Sequence, residues 1–153
     1  MKQAVLDLES FLPYRLSVLS NTVSAILSGT YSRRYGLSVS EWRVMAILGR
    51  FPRSNATEVA ERGAMDKVTV SRAVSRLLAA GRIRRRIADA DKRRSILELS
   101  AEGWRIYREI APKLLAFETD LLAVLDHRER RQLDCLLRRL ADKAGEMEAP
   151  ESG

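Results

Sequence analysis

Sixteen residues from Asp66 to Gly81, Asp-Lys-Val-Thr-Val-Ser-Arg-Ala-Val-Ser-Arg-Leu-Leu-Ala-Ala-Gly, have both ends set by their own chemistry. The Asp66 carboxylate can accept the unpaired amides of a first helical turn, and Gly81 can take the left-handed conformation that ends a helix. Between them Val70, Val74, Leu77 and Leu78 recur at the spacing of one helix face, which predicts a core-facing side. At about 100° per residue, the opposite face carries Val68, Thr69, Arg72, Ser75 and Arg76: short polar groups, one valine, two arginines and no acid. Arginine can bond a guanine edge with two donors, hydroxyls can reach bases or phosphates, and an apolar side chain can touch a thymine methyl. The stretch therefore predicts a helix shaped to enter a groove of DNA. The competing reading is a surface helix that is merely basic and solvated.

The flanking sequence supplies the rest of a motif. Asn55 and Glu58 form a capping-box pair before Val59 and Ala60, predicting a short helix that ends at Gly63, three residues before Asp66. A short helix, a tight turn and a second helix with a polar outer face make a helix-turn-helix. Upstream, Ser38 and Glu41 form the same kind of pair before Trp42, Met45 and Leu48, predicting a helix over 39–50 that Pro52 stops. Downstream of Gly81 the period changes, because Ile83, Arg85 and Ile87 alternate with Arg84 and Arg86 as in a strand with one wet face. Ser95 to Leu99 reads as its partner, and the polar loop Ala88-Asp89-Ala90-Asp91-Lys92-Arg93 between them makes a β-hairpin with a charged tip.

Long helices occupy both ends. The first is expected from Pro13 to Tyr31, with Leu12, Leu16, Leu19, Val23, Ile26 and Thr30 stepping by fours and threes as a narrow seam. After a cap at Ser100 and Glu102 the helical period returns from Trp104, and Tyr107, Ile110, Leu114, Phe117, Leu121 and Val124 form a second seam; Pro112 is expected to bend or interrupt this helix. A last helix should start at the Asp126–Glu129 capping box and carry Leu133, Leu136, Leu137 and Leu140 on one side. The expected fold is mainly α with a small β-hairpin wing: a winged helix-turn-helix lobe over 36–100, a helical dimerisation layer from 1–35 and 101–148, and a frayed tail over 149–153. A two-fold dimer would set two reading helices on successive major-groove faces of a palindrome. The alternative, in which both seams pack together within one monomer, fits the periodicity equally well.

Charge agrees with a polyanionic partner. The net charge is +7, and residues 62–94 alone hold eleven basic and three acidic residues, the footprint of phosphate neutralisation with counterion release. A membrane surface is the competing polyanion, but no basic amphipathic segment rich in exposed aromatics is present. Met1 to Ser10 contains Asp7 and Glu9 and lacks a signal-peptide core, and no apolar run approaches a membrane span. One cysteine excludes an intrachain disulfide or a cysteine-rich metal site, and the reading is a cytoplasmic, reduced protein.

The order helix, helix, helix-turn-helix, charged hairpin and two long helices resembles the MarR (multiple-antibiotic-resistance regulator) family of winged-helix transcription factors over about residues 10–145. The residues that carry the resemblance are Asp66-Lys67-Val68-Thr69-Val70-Ser71-Arg72, Leu77 through Gly81, Asp91-Lys92-Arg93, and Leu99-Ser100-Ala101-Glu102-Gly103. The resemblance implies a homodimer on a pseudo-palindromic operator, with the reading helix in the major groove and Arg93 of the wing in the minor groove. It also implies a repressor released by a small aromatic or phenolic ligand bound between dimer layer and DNA lobe. One departure is Arg82, where the family usually has an apolar residue after the helix-ending glycine.

The candidate DNA-binding residues are Lys67, Val68, Thr69, Ser71, Arg72, Ser75 and Arg76 on the helix and Lys92, Arg93 and Arg94 on the wing. The bases fall to Val68, Thr69, Arg72 and Arg76, and phosphates to Lys67 and Ser71. For an effector, Tyr14 and Arg15 on the first helix offer a phenol and a cation, with Trp42 lining the same cleft; snorkelling of Arg15 and core packing of Trp42 are the plainer readings. Cys135 has Arg131, Arg138 and Arg139 at i−4, i+3 and i+4, which favours thiolate and makes it a redox candidate against an inert or dimer-contact thiol. His127 is the sole histidine, so no histidine metal pair exists, and eight residues of helix hold it about 12 Å from Cys135, too far for proton transfer. No cofactor, no metal and no catalytic constellation is expected. The rival readings are a winged-helix protein-interaction adaptor and a non-specific nucleic-acid-compacting protein.

Overall fold

A computed structural model describes residues 4–87 and 95–147. Among them the order is α1 (Leu12–Tyr35), α2 (Val39–Arg50), α3 (Ala56–Gly63), α4 (Lys67–Ala79), β1 (Ile83–Ile87), β2 (Ser95–Leu99), α5 (Ala101–Leu122) and α6 (His127–Glu146). This is the winged helix-turn-helix order expected from the sequence.

Local capping chemistry starts most of these helices. Ser38 with Glu41, Asn55 with Glu58 and Asp126 with Glu129 each close a reciprocal box, the side chain of one taking the backbone N–H of the other. In α5 the Ser100 hydroxyl accepts the Gly103 N–H at 3.0 Å, so the helix begins at Ala101, a turn ahead of Trp104. Two expectations change at helix ends, in α1 and α5. α1 continues a turn beyond Tyr31, because the left-handed residue that stops it is Gly36 (φ 63°). α3 ends at Gly63 as expected, followed by the left-handed Ala64 (φ 47°); the missing side chain at 63 lets Met65 pack close, its Cε 2.6 Å from where a Cβ would sit. α5 runs through Pro112 without interruption and stops at Leu122, so Val124, 84% exposed, lies outside the seam.

The chain divides into two compact units, residues 1–114 and 115–153. In the first, Val44, Met45 and Leu48 of α2 meet Val59 of α3, Val70, Val74 and Leu77 of α4, Ile83, Leu97 and Leu99 of the hairpin, and Ile106 and Ile110 of α5. From α1 only Tyr31 is buried; its seam residues Leu12, Leu16, Leu19 and Ile26 are 43–58% exposed. β1 and β2 pair antiparallel from Ile83↔Leu99 to Ile87↔Ser95, and Leu97 N–H adds a bond of 2.8 Å to the Ser54 carbonyl. The alternation predicted for β1 holds only at its base: Ile83 is buried, whereas Arg85 and Ile87 are exposed, the strand having run past the core. In the second unit Arg130 Nε donates to the carbonyls of Leu122 and Leu125, both at 3.0 Å, closing the C-terminal end of α5. Leu133, Leu136, Leu137 and Leu140 form an apolar row on α6, 38–51% exposed.

α5 approaches the base of the hairpin so closely that a Cβ at Gly103 would overlap the Arg82 carbonyl oxygen. Gly103→Ala is therefore expected to cost about 1–3 kcal/mol in urea unfolding. Gly145→Ala, where nothing lies within 4 Å, should leave stability unchanged or slightly raised. Equal effects at both positions would contradict the close approach.

A candidate nucleic-acid interface

The rotation of α4 is set by its inner side, where Val70, Ala73, Val74 and Leu77 are buried. Its first turn is held by Asp66, whose Oδ1 accepts the Thr69 N–H at 2.8 Å and whose Oδ2 accepts the Thr69 hydroxyl at 2.7 Å. The Thr69 amide, then its hydroxyl, holds the Asp66 carboxyl below the usual carboxylate range. With the inner side fixed, Lys67, Val68, Ser71, Arg72, Ser75 and Arg76 all turn outward and are exposed. Val68 is 60% exposed, an apolar group with no core to join. Thr69 is half-buried and spends its proton on Asp66, so outward it offers lone pairs and a methyl. Among the described residues no carboxylate pairs with Lys67, Arg72 or Arg76. The structure thus brings together all seven helix residues singled out in the sequence as one unneutralised face.

The hairpin divides its arginines between two faces. Arg84 and Arg86 both pair with Glu98 on the neighbouring strand, at 3.4 and 2.9 Å. Arg85 points to the other face and lines a crevice of about 170 Å³ with Lys67, Ser71 and Ser75 of α4 and Ala56 and Thr57 of α3. Arg85 and Thr57 were missed in the sequence, although the strand alternation already put Arg85 on the side of Ile83. Lys92, Arg93 and Arg94 lie outside the described residues.

A second crevice, about 190 Å³, opens between α1 and α2 and is lined by Ser24, Leu27, Tyr31, Val39, Trp42, Arg43 and Ala46. Trp42 stacks between Tyr31, at 5.7 Å and 26°, and Tyr107, at 5.8 Å and 24°. Burial pushes the Tyr31 phenol above its ordinary value, partly opposed by Arg43, so it stays protonated and can donate. Trp42 lines this crevice; Tyr14 and Arg15 do not. They sit on the uncovered start of α1, with Arg15 about 13 Å along the helix from Ser24. The cation here is Arg43, the residue after Trp42 on α2. Cys135 is exposed on α6, and one of its cationic neighbours, Arg138, is paired with Asp134 at 2.8 Å.

A family model described as the MarR family matches residues 35–94. The uncharacterised HTH-type transcriptional regulator YwoH of Bacillus subtilis (strain 168) is 31% identical over 104 residues, which cover 68% of this chain and 75% of that protein. The chain belongs to the MarR family. Among solved structures, the MarR/EmrR family transcriptional regulator from Acinetobacter sp. ADP1 superposes with a TM-score of 0.85 at 24% identity, over 93% of this chain and 100% of that one. The PcaV transcriptional regulator from Streptomyces coelicolor, solved with its natural ligand, superposes at 0.78 with 27% identity, over 93% of this chain and 99% of that one. As a MarR-family protein the chain is a DNA-binding transcriptional regulator, and the acid-free face of α4 lies within the matched segment. No helix among its described residues is long and apolar enough to cross a membrane.

The cap of α4 can be followed by titration. Because the folded-state value of Asp66 is depressed, its contribution is present above the unfolded value, about 3.9, and is lost as pH falls through the lower folded value. The Asp66 carboxyl resonance should therefore move with a midpoint below 3.9, and Thr69→Ala should raise that midpoint. A midpoint at or above the unfolded value in the parent protein would mean the cap does not form.

Proposed function

We propose that this MarR-family regulator acts as a homodimer on a pseudo-palindromic operator, represses, and releases DNA when a small aromatic or phenolic ligand binds. The observation that carries the DNA-binding assignment is the outward face of α4, exposed, basic and without a carboxylate partner among the described residues. Val68, Thr69, Arg72 and Arg76 read bases, Lys67 and Ser71 hold phosphates, Ser75 supports them, and Lys92, Arg93 and Arg94 belong to the wing. The dimer layer is drawn from 1–35 and 101–148, and the support for it is the open apolar seam of α1 and the leucine row of α6. For the ligand, the support is the crevice beside Trp42, where stacked rings offer an aromatic slot and Arg43 a counter-charge for a carboxylate or phenolate.

Selection from random duplexes at moderate salt, followed by sequencing, tests the DNA-binding assignment. A two-fold-symmetric motif with half-sites about one helical turn apart is expected. Arg72→Ala should cost about 1–3 kcal/mol and blur one position in each half-site. Unenriched sequences would point instead to an adaptor or a compacting protein. Titration of the operator complex with benzoate and 4-hydroxybenzoate tests the release step. Release is expected from at least one of them, and Arg43→Ala should need roughly tenfold more ligand, about 1.4 kcal/mol, with unchanged operator affinity. Release unaffected by the substitution would move the ligand elsewhere.

A further inference from the structure

The corner at which α4 gives way to β1 is held from two sides. The Arg82 guanidinium donates to the Tyr35 carbonyl at 2.5 Å, and Tyr35 is the last residue of α1. Carbonyls in the last turn of a helix lack intrahelical partners and carry the negative end of its dipole, so a guanidinium there is doubly favourable. On the other side, the Arg82 carbonyl accepts the Ser100 N–H at 3.0 Å, and the Ser100 hydroxyl donates to the Gly81 carbonyl at 2.6 Å. Tyr35 is itself anchored to α5: its hydroxyl donates to Glu109, which also pairs with Arg34 at 3.3 Å and Arg105 at 2.8 Å. The end of α1, the first turns of α5 and the α4–β1 corner close into one hydrogen-bonded ring.

Arg82 is half-buried, and its guanidinium is engaged with a main-chain oxygen inside this ring. Its position in the most basic part of the chain would suggest a phosphate contact; its geometry says otherwise. We propose that Arg82 is a positioning residue for DNA binding, one that pins the corner between reading helix and wing to the last turn of α1 and makes no contact with DNA. The proposal rests on the DNA-binding function above. Its consequence is that the angle between α4 and the hairpin depends on a bond to a helix outside the helix-turn-helix.

The test compares wild-type protein with Arg82→Leu on the selected operator across a range of salt, alongside amide exchange of the unbound proteins. Loss of positioning should weaken operator binding roughly tenfold and speed exchange across β1 and β2. The slope of log affinity against log salt should stay that of wild type, because no phosphate contact is removed. A slope smaller by about one unit would make Arg82 a phosphate contact and overturn the proposal, as would wild-type affinity in the leucine variant. If Arg82→Leu does not fold, Arg82→Gln, which keeps a donor without the charge, decides on the same criterion of slope. Failure of the DNA-binding function itself would appear in the wild-type arm, where no motif would be enriched, before any variant is compared.

Discussion

The apolar side of α4 is the contact on which the interface depends. Val70, Ala73, Val74 and Leu77 are buried against α2 and α3, and burying side chains of this size contributes on the order of 1.5–3 kcal/mol each for the larger ones. That burial stabilises the lobe, but its geometric effect matters more. A helix turns about 100° per residue, so a slip of one position in the packing would swing the face shared by Val68, Arg72, Ser75 and Arg76 away from its outward direction. Specificity in such a protein is therefore a by-product of core packing: the residues proposed to read bases are aimed by residues that never meet DNA.

Much of this was legible in the sequence because the decisive signals are local. A capping box needs only two side chains three residues apart, and all three that could be seen formed as expected; the ends of α2 and the start of α4 followed directly. Signals that depended on tertiary surroundings were read less well. Gly63 ends α3 as expected, but the left-handed conformation that follows falls on Ala64, which no local signal marks. Ile87 looked like a core residue by alternation, yet alternation gives a side and not a cover, and the strand has outrun the core by then. Tyr14 and Arg15 do not line the crevice beside Trp42, whereas Arg43 does, because α2 packs against α1 well beyond the first turns of α1.

Formal charge also overstates what the hairpin presents. Seven arginine or lysine positions from 82 to 94 count as equivalent in a sum, but among the described ones Arg84 and Arg86 share one glutamate and Arg82 is turned inward to a carbonyl. Arg85 alone of this group faces the crevice beside α4. The strand thus sorts like residues into distinct electrostatic roles according to parity and neighbours, a distinction that a sum over sequence cannot make.

The start of α4 differs from the box-capped starts in one respect. α2, α3 and α6 each place a glutamate at the third helical position, whereas α4 places Thr69 there, its hydroxyl turned back to Asp66. A glutamate at that position would set a second carboxylate beside Lys67, at the helix end that the proposed interface turns toward phosphate. Threonine closes the turn while leaving the amide dipoles of that end screened by one acid instead of two. The same local problem, sealing a helix start, is thus solved with a glutamate in α2, α3 and α6 and with a hydroxyl in α4, so the helix proposed to meet a polyanion is closed without adding a second negative charge beside Lys67.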